Sequence, residues 1–457
     1  MRMHGFVKMH VAIAAVFCAA ASSAARGDEA APASAASAGP SRIFKLSDAE
    51  RLALASQPQV LLARAQIRAA EAGVEQARSP LLPQVTATGQ YTRQTGNFVP
   101  RPGVIPGANG MPTSSTSLTN SYDFWNFGIA ATQLIYDFGQ TYEKFRASQE
   151  TANAQRATER ATQFQILVGV RSAYFAARAN KDLVGVARET LSAQEKHLGQ
   201  VQGFVQVGTQ PLIALAQQRA AVANAKVQLV NAQNNYETAK AQLNQAAGVQ
   251  GGTDYDVGDE TLDAVPDEDQ SLESLVLKAV AARPEMISLA SAQQAQRAIL
   301  SAAKGGYGPV FSAAAGFTGA GGALDGLVPN WSAALLLTWP IFQGGLTAGQ
   351  IHQAEAVLSN IDAQKALELL QIQLQLDSAR LSVRAAKTAI SAAQDAVENA
   401  HEQFRLAEQR YATGVGSIIE LNDAQVTYTA AAAQLVQARY GLASARAQLL
   451  AALGRAG

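Results

Sequence analysis

The chain has 457 residues, a formal net charge of zero and only 16% charged residues. Lysine and arginine together number 36, as do aspartate and glutamate, so no basic excess points to nucleic acid as a partner. One cysteine, Cys18, is present, which excludes an intramolecular disulfide and a cysteine-based metal site.

The amino terminus has the layout of a secretory signal peptide. Two basic residues precede an apolar run over residues 9–21, and small residues follow it. This order predicts export and removal of residues 1–25, with a buried amino-terminal helix as the alternative. Lipidation is disfavoured because Cys18 follows the large Phe17. Residues 26–42, rich in Ala, Ser, Pro and Gly, are expected to form a flexible tether.

Each half of the chain then opens with a predicted helix that ends at prolines. Ala and Leu recur at helical spacing over 52–78 and 275–304, and prolines follow both runs. A strand is predicted next in each half, at about 84–97 and about 309–319. Polar and apolar residues alternate clearly in the first and less cleanly in the second, which is rich in Ala and Gly.

A second strand is predicted in each half, at about 122–136 and 331–342. A length of about ten residues suits a tilted strand that crosses a bilayer. Aromatic residues near the ends fit an interfacial girdle: Trp125, Tyr136, Trp331, Trp339 and Phe342. A strand pair in a soluble sheet would give a similar pattern, so the strands alone leave both interpretations open.

The architecture that follows favours the membrane interpretation. Nearly seventy residues without an internal proline are predicted to be helical at 138–206 and again at 346–412. At about 1.5 Å per residue, each helix is roughly 100 Å long, which a soluble globular domain does not use. With the helices that follow, they form predicted hairpins over 138–247 and 346–453, turning near Gly208 and Gly414.

A seven-residue repeat of large apolar residues, alternating with alanine, runs along the second hairpin. Before the turn the large residues are Leu376, Val383, Ile390, Val397, Phe404 and Tyr411, and after it Leu421, Tyr428, Leu435, Leu442 and Leu449. This spacing predicts a coiled-coil seam, in which the alanines allow close approach of the partner helix.

The same hairpin occurs 206 residues earlier, without a gap from Trp125 against Trp331 to Gly248 against Gly454. The chain is therefore a tandem duplication, with an insertion of about twenty residues in the first copy, within 98–120. The predicted repeats are 43–248 and 271–454, joined by a linker at 249–270. Four strands are too few to close a membrane barrel, whereas three chains would supply about twelve.

At this point the chain resembles a known family. The joints QLIYDFGQ and WPIFQGG, the tips VGTQPLIAL and TGVGSIIEL, the helix-break prolines and the duplication are similar to those of the TolC family of outer-membrane efflux channels. The similarity covers about 43–454. It implies a mainly α homotrimer, with a transmembrane twelve-stranded β-barrel in the lipid of the Gram-negative outer membrane and a long periplasmic α-helical coiled-coil barrel. It also implies a periplasmic adaptor and an inner-membrane RND or ABC transporter as partners.

The resemblance assigns adaptor docking to the hairpin tips. The candidates are Val207, Gly208, Thr209, Thr413, Gly414 and Val415. The same residues are also what a tight turn needs, because glycine tolerates left-handed backbone. The two interpretations are compatible.

The resemblance also implies a periplasmic gate made of Asp423, Glu420 and Tyr411. Glu420 has an alternative role in a capping box that begins at Ser417. Tyr411 also occupies a seam position, so plain packing is an alternative for it. The acid that such a tyrosine would bond in the first repeat is replaced by Ala214, and Gly416 stands where an arginine can follow. Any lock is therefore expected to be weaker or built differently.

Enzymatic interpretations find little support. His197, His352 and His401 are far apart and match no metal-binding spacing. The DFGQ at Asp137 lacks the companion motifs of a kinase, and the glycine-rich run at 319–326 is followed by no lysine, so we expect an extracellular hairpin loop there. No catalytic residue, cofactor or metal is predicted.

The predicted function is a passive outer-membrane exit duct for drugs or other small molecules. The WPIFQGG joint and the absence of a lipid-anchor cysteine favour this cargo class. Type I protein secretion and heavy-metal efflux are alternatives that use a similar duct. A trimeric coiled-coil spacer without a pore is the alternative from another class, although it would have no use for amphipathic strands.

Overall fold

The computed structural model describes residues 42–95, 121–266 and 268–455. The predicted signal peptide at 1–25, residues 26–41 of the predicted tether, the insertion at 98–120 and the last two positions of the first predicted strand lie outside the described residues.

The first segment of each repeat folds as two helices, unlike the single helix that the sequence pattern predicts. They are α1 (Leu46–Ser56) with α2 (Pro58–Arg78), and α5 (Leu272–Ala282) with α6 (Pro284–Gly305). The intervening Gln57 and Arg283 are extended, with ψ of 122° and 126°. A proline disfavours helical backbone in the residue before it and readily starts a helix, so both breaks have a local cause.

Four strands form one antiparallel sheet in the order β2, β3, β5, β6. They are β2 (Gln84–Thr95), β3 (Ser121–Tyr136), β5 (Val310–Gly321) and β6 (Val328–Thr338). The last strand starts earlier and ends earlier than the predicted 331–342. It stops before the Trp339-Pro340 pair because proline has no N–H to donate to the ladder. The glycine-rich run at 319–326 lies in the β5–β6 hairpin.

Four helices form the two hairpins. They are α3 (Gln140–Gln206) with α4 (Leu212–Ala247), and α7 (Leu346–Ala412) with α8 (Ile418–Ala452). The long helices have 67 residues each, which corresponds to about 100 Å. Besides packing within each hairpin, α3 packs against α8. Among the described residues, none of the helices combines the length and the apolar character that crossing a membrane requires.

The heptad seam is buried along much of the second hairpin. Leu376, Val383 and Tyr411 are at most 1% exposed. The alanines that alternate with them are also largely buried, at Ala379, Ala393, Ala400 and Ala407. The periodicity therefore identified the face that α7 turns towards its neighbours.

The predicted linker at 249–270 is more structured than a tether. It contains β4 (Tyr255–Val257), which pairs with β1 (Arg42–Phe44). Two lysines that occupy equivalent positions in the two repeats bind its acids: Lys181 lies 2.7 Å from Asp256, and Lys387 lies 2.6 Å from Glu268. The linker therefore ties both hairpins together at one level.

Candidate functional site

The candidate site is the end of the hairpins where both turns lie. Gly208 and Gly414 have φ of 78° and 81°, the left-handed region that favours glycine. In each turn the next residue donates to a carbonyl five positions back: Thr209 to Phe204 at 2.9 Å, and Val415 to Arg410 at 3.0 Å. These bonds satisfy the last carbonyls of α3 and α7 in the same way, as duplicated helix caps.

Exposed apolar side chains surround both turns. Val207 is 72% exposed and Val415 is 73% exposed. Leu212, Ile213 and Ile419 are also largely exposed, although the sequence pattern did not single them out. The repeat would not have indicated Leu212, because its repeat-equivalent Ile418 is buried whereas Leu212 is 75% exposed. Five apolar side chains at one end make a surface suited to a protein partner.

Tyr411 lies in the core beneath the turns. Its ring meets Phe204 of the first hairpin edge-on at 5.8 Å, so the two hairpin ends contact each other here. The side chain is 1% exposed, and its hydroxyl has no hydrogen-bond partner among the described residues. Burial raises the pKa of this hydroxyl. Ala214, where an acid could have accepted the bond, belongs to the same apolar cluster.

The two candidate gate acids differ in what they contact. The N–H of Glu420 donates to Ser417 Oγ at 3.1 Å, which is the predicted helix cap. Its carboxylate lies 3.3 Å from the Arg410 guanidinium. Asp423, one turn later, is exposed and has no ion pair with any residue that the structure describes. Of the two candidate gate acids, Asp423 is therefore the one without an ion pair to another described residue.

Gly416 leaves little room for a side chain at this turn. A Cβ there would lie 3.0 Å from both Arg410 Cβ and the Tyr411 nitrogen. On this backbone an arginine at position 416 would be crowded, and Glu420 is instead paired with Arg410. Across the described residues, no three His, Cys, Asp or Glu side chains converge so that they could hold a metal ion.

Comparison with known proteins identifies the family. The sequence profile described as "Outer membrane efflux protein" matches residues 50–249 and 275–455. The chain belongs to the outer membrane efflux protein family. Outer membrane efflux proteins of this type are located in the outer membrane, extend into the periplasm and are transport ducts, not enzymes.

Relatives of this outer membrane efflux protein match most of its length. The toluene efflux pump outer membrane protein TtgF of Pseudomonas putida is 26% identical over 384 residues, covering 82% of this chain and 76% of TtgF. Outer membrane protein TolC of Escherichia coli is 24% identical, covering 90% and 83%. The crystal structure of the Campylobacter jejuni CmeC outer membrane channel has a TM-score of 0.75 at 19% identity, covering 90% and 85%. The TolC-like fold of the chain is thereby established.

Proposed function

We propose that this outer membrane efflux protein is a homotrimer that forms the passive exit duct of a tripartite pump. Its cargo would be drugs or other small molecules, delivered by an inner-membrane RND or ABC transporter through a periplasmic adaptor. The observation that carries the proposal is the four-stranded sheet, whose two edges have no strand partner in the described part of the chain and whose surface is apolar.

The sheet edges need partners in a membrane. The outer edges of β2 and β6 have no neighbouring strand among the described residues. In hydrocarbon, unpaired backbone groups cost several kcal/mol each, so a membrane sheet must close on itself. Four alternating strands leave β2 and β6 running in opposite directions, so β6 of one copy can pair antiparallel with β2 of the next. Three copies would close twelve strands.

The side chains on these strands support the same proposal. Large apolar residues are exposed along them, including Val85, Ile129, Phe317, Trp331, Leu335 and Leu337. In water this surface would be unfavourable by roughly 25 cal/mol per Å². Lipid on one side and neighbouring copies at the edges would cover it.

A difference in burial between equivalent positions of α3 and α7 also supports the association of copies. On α3, Phe175 is 1% exposed and belongs to a buried cluster that includes residues of α1 and α2. Its repeat-equivalent on α7, Leu381, is 48% exposed. About two and three turns closer to the start of α7, on the same side, Leu374 and Leu370 are 70% and 64% exposed. Among the described residues, α6 packs on α3 as well as on α7, whereas of these two long helices the repeat-equivalent helix α2 packs on α3 alone. By the internal symmetry, the element that would cover this leucine stripe is α2 of the next copy.

The cargo and the docking roles are further parts of the proposal. The name of TtgF describes a toluene efflux pump, which supports a small apolar cargo class here. Val207, Gly208, Thr209, Thr413, Gly414 and Val415 would dock the adaptor, joined by the exposed Leu212, Ile213 and Ile419. We also propose that residues 1–25 are a cleaved signal peptide and that the protein is not lipidated.

The gate would depend mainly on Asp423. Three copies around an axis would bring three free carboxylates together, repelling one another and attracting cations. Glu420 would contribute less, because Ser417 and Arg410 already engage it. Tyr411 would hold the two hairpin ends together by packing, because its hydroxyl has no acceptor within the described residues.

The duct is tested by reconstituting the purified protein in planar bilayers and measuring its mass in detergent. A trimeric mass together with stepwise conductance supports the proposal. A folded trimer without conductance would instead identify a coiled-coil spacer. In a deletion strain, sensitivity to small toxic compounds, loss of a secreted protein, and metal sensitivity separate the three cargo classes.

Docking is tested in cells with a photo-crosslinking residue at Gln210 or Ser417, and at Lys226 in the middle of α4 as the matched control. Capture of a periplasmic adaptor from the tips but not from Lys226 supports docking there. Equal capture from all three sites, or none from a folded trimer, would contradict it.

A further inference from the structure

A layer of buried polar side chains separates the tip core from the rest of the hairpin interface. On α3 it contains Gln194 and His197, which are 5% and 1% exposed. Gln218 of α4, 0% exposed, donates to the side-chain oxygen of Gln194 at 2.6 Å. Gln425 of α8, 3% exposed, donates to Thr429 at 3.3 Å. Such a layer in a coiled-coil seam costs stability relative to apolar packing.

The register between α3 and α8 places the members of this layer opposite one another. The hydroxyls of Thr190 and Thr429 lie 3.0 Å apart. Because the helices are antiparallel, seven residues towards the tip from this pair put His197 of α3 level with Asn422 of α8. Further towards the tip, Val201 and Ile418 share one apolar cluster, which agrees with this register.

Several acceptors in this layer lack a described donor. The side-chain oxygens of Gln218, Asn422 and Gln425 are buried without a hydrogen-bond partner within the described residues. His197 Nδ1 lies 3.2 Å from Gln200 Oε1, whereas His197 Nε2 is also buried without a partner. No described acceptor is therefore within hydrogen-bond reach of Nε2. A proton added there would create a charged, buried and unpaired N–H group.

The charges around His197 offer little compensation. Lys196 of α3 and Glu408 of α7 lie closest and bind each other at 2.8 Å. From α7 the uncharged Phe404 ring meets the imidazole edge-on at 6.1 Å. The nearby Asp423 of α8 and Arg219 of α4 are exposed, as is His401 of α7. Burial lowers the pKa of His197, and this outweighs the opposing effects of Gln200 and Glu408.

We propose that His197 makes the contact between the two hairpins sensitive to acid. Protonation is disfavoured while α3 and α8 are packed and becomes favourable when they separate, because water can then accept the new N–H. The packed arrangement therefore keeps its full stability above about pH 6.5, the ordinary pKa of histidine, and loses it as the pH falls below that value.

Hydrogen–deuterium exchange on the purified full-length protein tests this, with protection factors corrected for the intrinsic pH dependence of exchange. Between pH 7.5 and pH 5.5, protection of the backbone over 190–206 and 418–429 should fall several-fold. The upper limit for one histidine over this range is about tenfold, because a free side chain of pKa about 6.5 is roughly one-eleventh protonated at pH 7.5 and roughly ten-elevenths protonated at pH 5.5. The segments 140–160 and 346–365, far from the layer, should not respond. Surface carboxylates, with pKa near 4, remain ionised at pH 5.5.

Two variants identify the residue responsible. His197→Gln keeps a hydrogen-bonding side chain that does not titrate, so the pH response should disappear. His401→Gln removes an exposed histidine at a similar height and should leave the response intact. Unchanged or increased protection of the native protein at pH 5.5 would overturn the proposal, as would a response that persists in folded His197→Gln. The readout is local exchange, so it does not depend on whether the protein conducts.

Discussion

Replacing Tyr411 with phenylalanine should tighten the tip core, not open it. The hydroxyl is buried in a side chain that is 1% exposed and has no hydrogen-bond partner among the described residues. An unsatisfied buried polar group costs about 1–3 kcal/mol, so its removal should stabilise the packed tips by about 1 kcal/mol, or roughly fivefold in protection. The edge-on contact with Phe204 does not involve the hydroxyl and should be retained.

The assay is local hydrogen exchange over 196–215 and 404–424, which reports the free energy of opening the tips. Tyr174→Phe is the matched control. Tyr174 is equally buried, at 0% exposure, but its hydroxyl donates to the Gly258 carbonyl at 3.1 Å. Its loss should weaken the local structure by about 1 kcal/mol. Tyr411→Ala should cost about 3–5 kcal/mol, because a large buried ring is lost.

The opposite result would have a clear meaning. If Tyr411→Phe lowered protection at the tips or raised conductance, the hydroxyl would form a bond in the assembled protein, and a gate lock through Tyr411 would replace the packing role argued from this structure.

Three further outcomes are expected. Gly414→Ala places a Cβ on left-handed backbone and should lower the free energy of opening the tips by about 1 kcal/mol, measured as reduced exchange protection. As the control, Gly199→Ala lies in α3, where a Cβ would meet nothing within 4 Å, and should stabilise the helix by up to about 1 kcal/mol. Burial alone would raise the pKa of Glu268, but hydrogen bonds from Lys387 and Arg446 lower it overall. Lys387→Met should therefore reduce the thermal midpoint at pH 7. The difference in thermal midpoint between this variant and the native protein should shrink as the pH falls below 4.5, the ordinary pKa of a glutamate side chain. Asp423→Ala should raise single-channel conductance or change its cation preference, and no change in either would remove Asp423 from the gate.

The sequence by itself determined the duplication, the two long hairpins and the places where they turn. These features are periodic or local. A seven-residue apolar repeat predicts that one face of a helix is buried, and a glycine between two such runs indicates where the chain reverses. The break before Pro58 was equally local, since a proline restricts the residue before it. It was missed only because the apolar spacing continues across it.

The tertiary structure decided everything that depends on which faces meet. The heptad pattern predicts that Tyr411 is buried. Only the packing of the helices shows that Phe204 lies against the Tyr411 ring and that no described acceptor reaches the Tyr411 hydroxyl. In the sequence, His197 is one of three widely separated histidines that match no known metal-binding spacing, so nothing indicates a role for it. Its chemistry arises from burial and from the lack of a described hydrogen-bond partner for its Nε2 atom. Periodicity predicts that a side chain is buried. It does not predict which residues contact that side chain, because they come from parts of the chain hundreds of residues away.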